Sequence, residues 1–114
     1  MIYHLLTKEA WEKAKQEDVY WPKSLDEEGF VHCLTKEQLL EKGNKLYPNE
    51  SEIVLLQIYS NELESLCVFE DLSESGEMFP HIYGHVNLNA VKFSKLLKRN
   101  GDTGFTFETN ECSA

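Results

Sequence analysis

The stretch that most constrains this chain is residues 53–59, "IVLLQIY". Leucine and β-branched side chains follow one another there without the polar alternation of a half-wet strand, so the segment reads as a strand covered on both faces. It is far too short to cross a bilayer. At 114 residues the chain is long enough to bury about two thirds of the surface it would expose unfolded. The expectation is a single domain over residues 1–110, with 111–114 frayed.

The other elements are read around that strand. Residues 2–6 form a short, largely apolar run ending at Thr7, a helix cap with Glu9 in the first turn that follows. "TKEAWEKAKQ" then carries a narrow apolar face, Ala10, Trp11 and Ala14, suited to lying on a sheet with one side wet. "VYWPKSLDEEG" reads as a loop. "FVHCL", residues 30–34, is strand-like, and Thr35 with Gln38 makes a capping box for a second helix that Gly43 ends or loosens. "LCVFE" at 66–70 and "AVKFSKLL" at 90–97 read as further strands, and 101–108 as a last hairpin arm. Between them, Pro80 and Gly84 make "FPHIYGHVN" a shaped loop bending between Tyr83 and His85. The order predicts an α+β fold with two early helices and a mixed or antiparallel sheet. It lacks the repeated βαβ alternation, the G-x-G-x-x-G turn and the P-loop of dinucleotide- and triphosphate-binding folds.

Charge narrows the partners. With 20 acidic residues against 11 basic ones, a formal charge of -9 and a pI near 4.8, non-specific attraction to nucleic acid or anionic lipid is disfavoured. The N-terminus has no basic region followed by a long apolar run, which points to a cytoplasmic protein. Cys33, Cys67 and Cys112 are odd in number and include no C-x-x-C pair, so neither a disulfide framework nor a zinc knuckle is indicated.

His4 and His32 fall in strands, where regular backbone holds an imidazole well enough for an oriented hydrogen bond. His81 and His85 are four apart, but Pro80 and Gly84 oppose a helix and the glutamate of H-E-x-x-H is missing, so no metal site is expected. Cys33 adjoins His32, yet strand neighbours point to opposite faces, which makes this cysteine structural. Glu70 is the acid best anchored to an expected strand, whereas Glu74 and Glu77 sit in a polar loop. For Tyr20, Trp21, Tyr59 and Tyr83 the pattern leaves core and rim open.

Together, "IYHLLTKEAW", "SLDEEGFVHCLTKEQ", "IVLLQIY" and "FPHIYGHVNLNAV" resemble the domain-of-unknown-function family 952 over residues 2–93. That family's fold is similar to the ADP-ribosyltransferase superfamily, a split mixed β-sheet core with a cleft that holds NAD in active members. Tyr3 with His4, and Val31 with His32, also resemble paired positions of RNA 2'-phosphotransferases. The resemblance implies a small-molecule nucleotide ligand, with NAD as substrate. It implies ligand contacts from His4, His32, Thr35, His81 and Tyr83, and a catalytic set of His4, His32 and Glu70. His4 would hydrogen-bond a ribose hydroxyl, His32 a neighbouring ribose or phosphate, and Glu70 would face the cation formed when the bond at ribose C1' breaks. Leu34 stands where a serine often follows the family's HC pair, with Thr35 as the substitute for it, and His85 replaces a proline. The alternatives are a non-catalytic protein-interaction module and a metal-dependent hydrolase.

Overall fold

The computed structural model describes residues 1–101 and 104–107; the expected hairpin arm falls partly, and the expected frayed end wholly, outside these residues. The strands are β1 (Ile2–Leu6), β2 (Val19–Tyr20), β3 (Val31–His32), β4 (Glu52–Ile58), β5 (Leu66–Glu70), β6 (Phe79–Tyr83), β7 (Val86–Asn87) and β8 (Val91–Lys98), and the helices are α1 (Lys8–Glu17), α2 (Lys23–Glu28) and α3 (Lys36–Leu46). They form an α+β fold with sheets in the orders β1-β4-β8, β2-β7 and β3-β6-β5. Every one of these pairings is antiparallel, so the sheet is not mixed.

β4 is the central strand of its sheet, and from Ile53 to Ile58 it is buried. Its two faces carry separate cores. Val54, Leu56 and Ile58 join Ile2, Leu6, Ala14, Tyr20 and Val31 on one side, with Ala10 and Trp11 of α1 packed against them. Ile53 and Leu55 join Tyr3, Leu5, Leu34 and Leu39 on the other, the side of α3. The continuous apolar run is thus explained by burial on both faces.

Both expected helix caps form. Thr7 Oγ1 accepts from the Ala10 amide, and Thr35 and Gln38 make the reciprocal capping box at the start of α3. Gly43 does not end α3, which continues to Leu46; a Cβ there would come within 2.7 Å of the Phe107 ring, so the glycine permits close packing inside the helix.

Two sequence expectations are corrected. "VYWPKSLDEEG" is not a loop: it contains β2 and the short helix α2, a third helix where two were expected. Pro22 stands at the N-cap with extended backbone, Trp21 Nε1 donates to Asp26 Oδ1 at 2.8 Å, and Gly29 ends the helix in the left-handed region. "FPHIYGHVN" is likewise two strands, β6 and β7, joined by the expected bend at Gly84, where φ is +155°. Pro80 is tolerated inside β6 because the β3 ladder ends beside it. The Cys33 amide donates to the Pro80 carbonyl at 3.0 Å, but proline has no N–H to return, and the chain leaves β6 for β1. One residue on, Leu34 and Tyr3 exchange two backbone bonds of 2.8 Å.

That change of partner links the two three-stranded sheets and splits them. In a continued ladder the next bonded pair after Tyr3 and Leu34 would be Leu5 with His32. The strands diverge instead, and side chains take over. His4 Nδ1 lies 2.6 Å from the His32 carbonyl, and the Tyr47 hydroxyl donates to the Leu5 carbonyl at 3.1 Å. Buried carbonyls at the split thereby keep their partners.

Candidate functional site

A cavity of about 880 Å³ opens at this split, lined mainly by apolar side chains together with His4, Tyr20, Glu28, His32, His81 and Lys23. Strand register explains the convergence of the imidazoles. His32 and His81 are directly paired between β3 and β6, and alternate residues share a face, so both rings stand on the side opposite Val31 and Ile82, which belong to the core. Their ring centroids are 5.6 Å apart in an edge-on arrangement, and the Phe30 ring packs against both, 4.2 Å from His81 and 4.8 Å from His32.

His4 is fully engaged. A carbonyl can only accept, so Nδ1 carries the proton given to His32; Nε2, 2.7 Å from the Tyr20 hydroxyl, is then the acceptor. Burial drives its pKa from 6.5 down to about 4, and the ring is neutral near pH 7. Neither nitrogen remains for the ribose hydroxyl expected of it. His4 instead bridges the His32 carbonyl and the Tyr20 hydroxyl, and Tyr20, its partner, is raised above the usual tyrosine range mainly by burial.

His81 and His32 are each backed by a carboxylate. His81 Nδ1 lies 2.9 Å from Glu70 Oε1, which also accepts from the Tyr83 hydroxyl. The Tyr83 bond and then the His81 bond hold the Glu70 carboxyl below the usual range, so it is ionised and fixes His81 with Nδ1 protonated. His81 Nε2 is then the lone-pair nitrogen and has no partner among the described residues. His32 Nε2 lies 2.8 Å from Glu28 Oε2, with both side chains about half exposed at the cavity mouth.

The structure therefore brings His4, His32 and His81 to one cavity and sets the other expected site residues around it. Glu70 and Tyr83 are not among the lining residues; they stand behind His81. Thr35 is also outside the lining, and its hydroxyl caps α3. Glu28, Phe30 and Tyr20 were not singled out as site residues. Glu28 precedes His32 by four residues, and Tyr20 adjoins Trp21 in the misread loop, so the only local signal was the polar spacing in "EEGFVH". Cys33 turns into the core as strand alternation requires, and burial pushes its thiol well above the usual range. Among the described residues no group of three or more His, Cys, Asp or Glu side chains is placed to hold a metal ion, and no helix is long and apolar enough to cross a membrane.

No curated protein matches the chain. Among solved structures, the crystal structure of protein CC0527 from Caulobacter crescentus is 25% identical, with a TM-score of 0.81 over 92% of each chain. The solution NMR structure of CC0527 is 25% identical, with a TM-score of 0.67 over 91% of this chain and 89% of that one. Residues 5–93, the segment holding the paired imidazoles and the Glu70 support, match the family described as "Protein of unknown function (DUF952)", and the chain belongs to that family.

Proposed function

We propose that the cleft at the sheet split binds a nucleotide or ADP-ribose-type ligand, NAD included. The observation that carries this reading is the convergence of His32, His81 and the Lys23 and Glu28 side chains on one largely apolar cavity of about 880 Å³. Concave, largely apolar walls with a few convergent polar groups are the ordinary makings of a small-molecule site. The Phe30 and Phe79 side chains offer apolar surface for a base or a nicotinamide ring, and the imidazoles offer hydrogen bonds to ribose hydroxyls. Transfer or hydrolysis at ribose C1' would need a carboxylate facing the developing cation. Glu28 is the carboxylate that lines this cavity, whereas Glu70 is engaged by His81 and Tyr83. The test is a titration with NAD, ADP-ribose and AMP followed by NMR. Imidazole resonances of His32 and His81 should move; resonances that stay put at millimolar ligand would end this reading.

A protein-interaction role has one specific observation in its favour. β5 lies at the edge of its sheet and exposes Leu66 and Phe69, with Tyr83 beside Leu66 on β6. An exposed apolar edge strand is a surface another chain could cover. Binding to a protein partner that is lost on Leu66→Lys and kept on His32→Ala would favour this second reading.

A further inference from the structure

We propose that His32 and His81 form a general acid–general base pair that opens a cyclic phosphodiester on ribose, a nucleoside 2',3'-cyclic phosphate being the substrate class. This rests on the nucleotide reading of the cleft and assigns it a reaction. The first support is geometric. The two rings face the same cavity with centroids 5.6 Å apart, a separation that lets two oxygens on one phosphorus each meet one ring through hydrogen bonds of about 2.8 Å. The second is that the rings are differently prepared. His81 is 5% exposed, is fixed by ionised Glu70, and presents Nε2 as a lone pair, which suits a base. His32 lies half exposed at the mouth with Nε2 held by the Glu28 carboxylate, so Nδ1 is the nitrogen that can deliver a proton. His4 cannot substitute for either, because both its nitrogens are occupied.

Among the described residues Lys23 is the single lysine or arginine lining the cavity; its pairing with Glu27, at 3.6 Å, is exposed and so holds it weakly. It can meet the single negative charge of a cyclic phosphodiester. In the step itself, His81 Nε2 takes a proton from water as the water oxygen forms a bond to phosphorus. The bond from phosphorus to one ribose oxygen breaks, and that oxygen receives the proton from His32 Nδ1. One water is consumed, a ribose phosphomonoester is released, and the two imidazoles exchange protons with solvent to regain their starting states.

The experiment uses the full chain with adenosine 2',3'-cyclic phosphate, followed by phosphorus NMR for monoester formation, with 2'-AMP and 3'-AMP titrated separately to report binding. Turnover should show a bell-shaped pH profile. His32→Ala, an exposed change, should lower kcat by about 100-fold and remove the alkaline limb. His81→Gln should cause a similar loss and remove the acid limb, and Glu70→Gln should lower kcat while leaving AMP binding in place. If His81→Gln does not fold, the wild-type profile and the His32→Ala limb decide. Imidazole shifts with AMP but no turnover of the cyclic phosphate would overturn the acid–base assignment and leave the nucleotide reading standing. Neither shifts nor turnover would end both, and turnover unchanged in His32→Ala would overturn the pair.

Discussion

Replacing His4 by asparagine tests the split itself. In the folded protein the His4 pKa is lowered from 6.5 to about 4 because burial disfavours the charged ring. In the unfolded chain the same ring titrates near 6.5, so below that pH the unfolded state binds more protons and gains relative stability. The stabilising contribution is therefore complete above pH 6.5 and is lost as pH falls toward 4. At 1.36 kcal/mol per unit, the shift to about 4 corresponds to about 3 kcal/mol across that window. His4→Asn keeps a donor for the His32 carbonyl but leaves the Tyr20 hydroxyl without its acceptor, which costs about 1–3 kcal/mol at neutral pH. Urea unfolding of both proteins at a series of pH values between 7.5 and 4 measures the two effects together. Groups common to both chains, including Glu70 and Asp71, whose carboxyls are also held low, cancel in the difference. The stability difference should favour the wild type at pH 7 and shift by about 3 kcal/mol toward the variant by pH 4, vanishing or reversing there. A gap that is constant across the window would show that His4 is not held neutral, and with it the account of the side chains at the split would fall.

Other outcomes follow from single contacts. Thr35→Ala should destabilise by about 1 kcal/mol through loss of the α3 cap, seen as a lower Tm, while NMR shifts with NAD stay unchanged; weakened NAD binding at equal stability would return Thr35 to the ligand site. Tyr83→Phe removes the largest influence holding the Glu70 carboxyl low, so its titration, followed by carbon NMR, should move upward toward the ordinary value; no movement would mean the contact is absent in solution. Gly84→Ala would drive its Cβ into Ser65 Oγ at a φ of +155°, and should lower the urea midpoint more than an alanine at exposed Gly29, where no atom stands within 4 Å. Cys33 should resist alkylation in the native state and react on unfolding, since burial raises its thiol; rapid native labelling would contradict that placement.

Local patterns carried a good deal of this fold. The both-faces-buried strand at 53–58, the Thr7 and Thr35 caps and the bend at Gly84 each depend on side-chain and backbone preferences acting over a few residues, and each is legible without neighbours. The strand alternation that separates His32 from Cys33 is of the same kind. "VYWPKSLDEEG" hides its helix because turn-forming Pro and Gly flank a segment too short to show periodicity, and "FPHIYGHVN" hides its strands because a proline normally argues against an inner strand.

The site depends on partners far away along the chain. Whether Pro80 interrupts a strand or sits where a neighbouring ladder ends depends on Cys33, and which nitrogen of His4 donates and which accepts depends on the His32 carbonyl and the Tyr20 hydroxyl. The sequence alone established an α+β chain with its central strand, two capped helices and histidines on strands, because those are short-range consequences of residue type. Registration between strands then paired His32 with His81, set Glu70 against the His81 imidazole, and opened the cavity where β1 and β3 part. Those outcomes were settled by long-range hydrogen bonding, since residue identity sets what a side chain can donate or accept, while the packed fold sets which groups come within reach.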